Sequence, residues 1–153
     1  MRAPPASAPR PVADRLPVEP GRSVRVTHEY HVYVARRATR ACCEALGFGE
    51  QKTYYAVTAA SELANNLCWH TSGGGVFSVT PVRRRGMVGV ELCCEDEGPG
   101  IADVAAAMSD GFSTNGGLGG GLPGVERLMD EFSITSRVGE GTRVVTRAWL
   151  RSA

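Results

Sequence analysis

The chain has 153 residues, 42% of them apolar, and a formal net charge of +1 at pH 7. Such a length and composition fit one globular domain with a sizeable core. No apolar run approaches the ~18–20 residues of a membrane span, and a charge this small exerts no general pull on nucleic acid or membrane; the expectation is a cytoplasmic protein with neither as a partner.

The first segment, "MRAPPASAPRPVADRLPVEP", holds six of the nine prolines. It lacks the apolar centre of a secretory signal, so residues 1–20 are expected to form a disordered or extended tail and residues 21–153 the domain. "RSVRVTH" alternates, with Val24 and Val26 on one face, and predicts a strand from Arg22 to His28. Helical spacing follows from about His31 to Leu46, stopped by Gly47, and again from Glu50 to His70. Strands are predicted over Val76–Val82 and Met87–Glu95, joined through "RRRG". That triple arginine reads as a hairpin tip, with a phosphate contact as the alternative. "EDEGPGI" leads to a short helix near Asp103–Ser109, then a glycine-rich stretch, then a helix over Leu122–Glu131. Strands over Phe132–Arg137 and Thr142–Leu150 close the chain. In the last one Val144, Ala148 and Leu150 face one way, and Arg143, Arg147 and Arg151 the other. This order predicts a two-layer α/β sandwich: a mixed, mainly antiparallel sheet with its helices on one face.

The five cysteines are two adjacent pairs, Cys42–Cys43 and Cys93–Cys94, plus Cys68. An odd number without C-x-x-C spacing predicts free thiols rather than a disulfide framework or a zinc site.

The chemistry is concentrated in four short stretches. In "STNGGLGGGLPGVERLMD" glycines stand directly before a helix, with Pro123 in its first turn, where no needed donor is lost. Backbone that can approach closely, followed by a helix N-terminus, suits a phosphate. A Walker loop is excluded, because the single lysine, Lys52, is far from this stretch. Gly119–Gly124 matches G-x-G-x-x-G, but no strand of a βαβ unit precedes it, which argues against a dinucleotide-binding enzyme. On this stretch alone, a ligand-free structural loop is the alternative. In "SELANN", Glu62 and Asn66 lie one helical turn apart on one face, at the edge of a helix whose Ala56, Ala60, Leu63 and Leu67 pack inward. "EDEGPGI" puts Asp96 at the end of an apolar strand, before Gly98 and Gly100, and "GEGT" puts Thr142 at the start of the last strand.

In this order and at these separations the four stretches resemble the Bergerat ATP-binding fold of the GHKL superfamily. Within it, "AVTAASELANN", "DEGPGI", "GFSTNGGLGGGLPGVERLMDEFSI" and "GEGT" are most similar to the RsbT-type serine/threonine kinases of bacterial partner switching. The resemblance runs from about Arg22 to Leu150. It implies that Glu62 is the general base and that Asn66 holds Mg²⁺ on the phosphates of ATP. It implies that Asp96 accepts the adenine amino group, that Gly98 and Gly100 let backbone approach the ring, and that Thr142 reaches the same edge. Gly117, Gly119 and Gly121 would belong to a lid over the phosphates, and the helix opening at Leu122 would add its dipole. The implied partners are STAS-domain scaffold or antagonist proteins and an RsbU-like phosphatase. An RsbW- or SpoIIAB-type anti-sigma factor kinase that binds a sigma factor, or a non-catalytic ATP-gated module, are the alternatives; the retained Glu62 argues against the latter. Asn65 stands where RsbT-type chains usually carry a basic residue, with Arg83, Arg84 or Arg85 as candidate substitutes.

Overall fold

The structure is a computed structural model, described for residues 21–70, 73–108 and 121–151. The expectations for residues 1–20, Gly117 and Gly119 lie outside those residues. The elements are β1 (Arg22–Val26), α1 (Glu29–Ala45), α2 (Glu50–His70), β2 (Gly75–Arg84), β3 (Met87–Asp96), α3 (Val104–Ala107), α4 (Gly121–Leu128), β4 (Glu131–Arg137) and β5 (Gly141–Arg151). The five strands form one sheet in the order β1-β2-β3-β5-β4. Every pair is antiparallel among the described residues, in keeping with the mainly antiparallel sheet expected.

Local chemistry accounts for the helix ends. His28 caps α1, its Nδ1 accepting from the Tyr30 N–H at 3.1 Å, and Glu29 complements the dipole in the first turn. At the other end the N–H of Leu46 donates to the Cys42 carbonyl, and Gly47 turns the chain at φ 83°. Helix α2 is the spine of the helical layer. Its Ala56, Ala59, Ala60 and Ala64 are buried, and side chains this small let neighbouring helices lie close. Leu63 and Leu67 extend from it into a core made with Val26, Phe77, Val79, Val90, Leu92, Val144 and Ala148 from one face of the sheet. Burying side chains of this kind is worth about 1.5–3 kcal/mol each, so this contact is the main source of stability.

The predicted helix over Leu122–Glu131 is shorter in the structure. It stops at Leu128, because Asp130 is drawn into the sheet: its N–H donates to the Arg147 carbonyl at 2.9 Å, and its Oδ2 accepts from the Trp149 N–H at 2.7 Å. Lys52 of α2 lies 3.6 Å from the same carboxylate. Met129 is still buried, and Phe132 packs against the core from a strand, as expected. The short helix is also trimmed, to Val104–Ala107, with Asp103 as its cap.

The opposite sheet face is not the plain arginine face that the spacing predicts. Val145 and Trp149 are buried on it. Trp149 lies over Gly89, where a Cβ would come within 2.6 Å of the indole, and the Arg84 guanidinium stacks 4.4 Å from a Trp149 ring centroid. Glu131 gathers this cluster, accepting from Trp149 Nε1 at 3.1 Å, from Arg147 Nη1 at 3.0 Å and from Arg84. Arg147 also donates to Glu91 at 2.8 Å. All five cysteines are free, as expected, and burial pushes the Cys43 thiol up to about 12.

The hydrogen bond from Arg84, with those from Arg147 and Trp149, holds the Glu131 carboxyl at about 2 instead of its ordinary 4.5. A depressed folded value contributes stability that is present above the unfolded value and is lost as pH falls toward the folded one. Urea midpoints should therefore decline between about pH 4.5 and pH 2. Glu131→Gln should remove part of that decline and lower the midpoint at pH 7; an identical pH profile would mean that the cluster adds nothing to folding.

Candidate active site

Strand register places one row of residues across the end of the sheet. Val26 pairs with Gly75, Gly75 with Asp96, Asp96 with Thr142 and Thr142 with Ser136, so all five strands contribute. Alternation puts these side chains on the helical face, with Phe77, Cys94, Val144 and Ile134. Two loops close over the row. Gly98 donates its N–H to Asp96 Oδ1 at 2.9 Å, which fixes the carboxylate within its own turn. Gly141 has φ 91°, and a Cβ there would lie 2.0 Å from the Asp96 carbonyl oxygen; at Gly100, φ 75°, a Cβ would lie 2.1 Å from the Arg137 carbonyl oxygen. At both places only glycine lets backbone rest on backbone. The N–H of Gly139 donates to the Pro99 carbonyl at 2.8 Å, so the loop after β3 and the β4–β5 turn are held as one piece.

Ser136 is a residue that the sequence reading missed. Its hydroxyl accepts from the Ile101 N–H at 2.7 Å, donates to the Gly141 carbonyl at 3.1 Å and shares a 2.8 Å bond with Thr142 Oγ1. With the Ser136 proton on Gly141, Thr142 donates to Ser136 and keeps lone pairs to accept another donor. The available signal was alternation: Ser136 is the third inward position after Phe132 and Ile134, and it is polar.

From above, α2 brings Glu62 and Asn66. Glu62 is only 4% exposed, deeper than the edge position expected of it, and Asn66 is half-buried. Leu67, the residue after Asn66, fills the space over Gly75: a Cβ on Gly75 would lie 2.6 Å from Leu67 Cδ2 and 3.1 Å from Asp96 Cβ. The turn of α2 that carries Asn66 thus rests on the row that carries Asp96. Gly121 opens α4 at φ 70° and is buried. Leu122 packs its side chain against the core, leaving only its backbone for a ligand.

A cavity of about 760 Å³ opens around this end of the sheet, lined by Asp96, Ser136 and Thr142 of the row and also by Arg25, Glu95 and Arg143 of the adjacent row, which alternation puts on the opposite face. Among the described residues Glu62, Asn66, Gly100, Gly121 and Leu122 lie outside its lining. The hairpin arginines cannot substitute for a basic residue at Asn65. Strand β2 carries them from Gly75 to its far end at Arg84, roughly 30 Å away at strand rise. No cluster of three or more His, Cys, Asp or Glu side chains suited to a metal occurs among the described residues.

Residues 24–148 match the histidine kinase-like ATPase domain family. The chain is 47% identical over 128 residues to the serine/threonine-protein kinase RsbT of Bacillus subtilis (strain 168), covering 84% of this chain and 96% of that protein. It is 31% identical over 99 residues to an anti-sigma F factor of Geobacillus sp. (strain WCH70), covering 61% and 66% of the two chains. In fold it resembles the crystal structure of the RsbU and RsbW domains of a Mycobacterium tuberculosis protein, with a TM-score of 0.57, 18% identity, and coverage of 88% of this chain and 34% of that one. A mycobacterial sensor histidine kinase, MprB, gives 0.52 at 16% identity, covering 86% and 99%.

Gly141→Ala should cost roughly 2–3 kcal/mol, because it combines positive-φ strain with a clash against backbone. Gly139→Ala, at φ 80° with nothing within 4 Å of the added carbon, is the control; strain alone there should cost about 1 kcal/mol. Urea unfolding measures both, and equal losses would mean that the approach to Asp96 is not tight.

Proposed function

The chain belongs to the histidine kinase-like ATPase family, among its RsbT-type protein serine/threonine kinases, and from that premise we propose how its residues bind ATP and transfer the γ-phosphoryl group. The observation that carries the reading is the row Gly75–Asp96–Thr142–Ser136 lying beneath the α2 turn of Asn66, with Glu62 one turn earlier on the same helix. Asp96, its carboxylate fixed by Gly98, accepts the adenine amino group. Thr142, oriented by Ser136, serves the same edge. Gly98 and Gly100 let the backbone lie against the ring, and the N–H groups at Gly121 and Leu122 face the phosphates. Gly117 and Gly119 are assigned to the lid from sequence alone.

Glu62 takes the proton of the attacking serine or threonine hydroxyl as its oxygen bonds to the γ-phosphorus and the bond to ADP breaks. Phosphoryl transfer asks little covalent chemistry of a protein, so positioning and an oriented nucleophile are the main contributions. The residue present fits Mg²⁺: a half-buried amide oxygen at Asn66 is a hard ligand of the kind that ion takes. Mg²⁺ takes one or two protein oxygens and completes its shell with phosphates and water, and when bound it neutralises phosphate charge.

The substrates we assign are STAS-domain proteins of a partner-switching pathway in the cytoplasm, with an RsbU-like phosphatase as the downstream partner. A transferred phosphate brings about −1.5 to −2 charges next to Glu62 and the nucleotide, which expels the product and releases the kinase. The likeness to anti-sigma F factors supports a second reading, direct capture of a sigma factor. Pull-down with a sigma factor against pull-down with the phosphatase N-terminal domain separates the two.

Incubation with labelled ATP and a STAS protein should show transfer that Glu62→Gln lowers by roughly 10²–10⁴-fold without loss of ATP binding. Transfer at the wild-type rate would remove Glu62 from the chemistry. Asp96→Asn should weaken ATP binding about tenfold and relax its preference over GTP, since a hydrogen bond in a closed pocket is worth about 1–3 kcal/mol. Titration with both nucleotides checks this; unchanged selectivity would place the base elsewhere.

A further inference from the structure

A second cavity, of about 560 Å³, lies away from the nucleotide end, between α1 and the edge strand β1. Its walls are Arg22 and Val24 from the strand and Tyr30, Tyr33, Val34 and Arg37 from the helix. On α1 the positions Tyr30, Val34, Arg37 and Ala41 recur at helical spacing, forming a stripe distinct from the one that Val32, Ala35, Thr39 and Cys43 bury. Tyr30 of the stripe and Tyr33 beside it are open to solvent, at 64% and 52% exposure. Below the stripe, β1 pairs only with β2 among the described residues, so one edge of its backbone is unpaired. An unpaired edge offers N–H and C=O groups to an incoming strand.

The charges select the occupant. Three arginines of the outer sheet face are neutralised: Arg143 meets Glu95 at 2.7 Å, Arg147 meets Glu91 at 2.8 Å, and Arg84 meets Glu131. Arg22, Arg36, Arg37 and Arg40, by contrast, form no ion pair with any described residue. The carboxylates of α1, Glu29 and Glu44, stand at its two ends, leaving only cations along its middle turns. Arg37 instead lies 5.8 Å from the Tyr33 ring, with its charge open to a partner. A second copy of the chain would bring like charges together here, which costs rather than stabilises.

We propose that this groove binds an acidic, extended segment of a partner protein, which adds a strand to β1 and lies beneath the exposed stripe of α1. Arg22 and Val24 share the groove face of β1. The incoming strand therefore presents carboxylates toward Arg22 and Arg37, and apolar side chains toward Val24, Val34 and the two tyrosines. Backbone pairing supplies affinity and the alternating pockets supply selectivity.

The test titrates the ¹⁵N-labelled full chain with a short peptide in which every second residue, the set that faces the groove, is Glu and Val in turn, with threonine between them. Amide shifts should move over Arg22–Val26 and Tyr30–Ala41. Affinity should fall roughly tenfold for Arg37→Glu, and again for Arg22→Glu, with Arg151→Glu unchanged, because charge pairs across an interface carry energies of this order. The same peptide with Lys for Glu should not bind. Shifts confined to other elements, equal binding of the lysine peptide, or no binding at all would overturn the proposal. So would sedimentation showing a dimer that Tyr33→Asp dissolves, or outward β1 amides already protected from exchange in the free chain.

Discussion

The backbone contact between Gly141 and the Asp96 carbonyl sets the geometry of the whole site. A Cβ at Gly141 would overlap that carbonyl, so the start of β5 can lie against the end of β3 only because the side chain is absent. Once the two strands meet this way, Thr142 falls opposite Asp96 and Ser136 opposite Thr142. The loop after β3 is then held by Gly100 against Arg137 and by Pro99 against Gly139. Three separate pieces of chain thereby become one connected floor at this end of the sheet.

Helix α2 meets two demands at once. Its alanines and leucines must pack on the sheet and on both neighbouring helices, while the polar Glu62 and Asn66 must be accommodated on the same helix. The helical repeat reconciles them, because positions four apart share a stripe that the apolar positions leave open. Glu62 is nevertheless buried, whereas Asn66 is half-open, so the two polar groups on one stripe occupy different environments.

The arginines divide the surface in the same physical terms. On the outer sheet face Arg84, Arg143 and Arg147 are met by Glu131, Glu95 and Glu91, and Arg84 covers Trp149. Along α1 and the β1 edge they have no carboxylate partner among the described residues, and aromatic rings stand exposed beside them. The first arrangement serves folding; the second leaves a charge to be met from outside.

Much of this molecule was legible in its residues. The alternation of Val24 and Val26, the helical spacing through Ala56, Ala60, Leu63 and Leu67, and the turns at Gly47 and "RRRG" act over a few residues, and they specified the elements without reference to the rest of the chain. The motifs around Glu62, Asp96 and Thr142 pointed to a family because their order and separations encode the layout of a fold. Three features were decided only in three dimensions. Helix α4 ends early because Asp130 bonds to β5, a strand that follows it in sequence but borders it in space. Ser136 acquires its role from the register of β4 against β5, which no local pattern contains. The arginines at Arg83–Arg85 lose their candidate phosphate role because β2 carries them to the far end of the sheet from Asp96. Propensity and periodicity are properties of neighbours along the chain, whereas a site is a property of neighbours across it, and only the packed sheet fixes which residues those are.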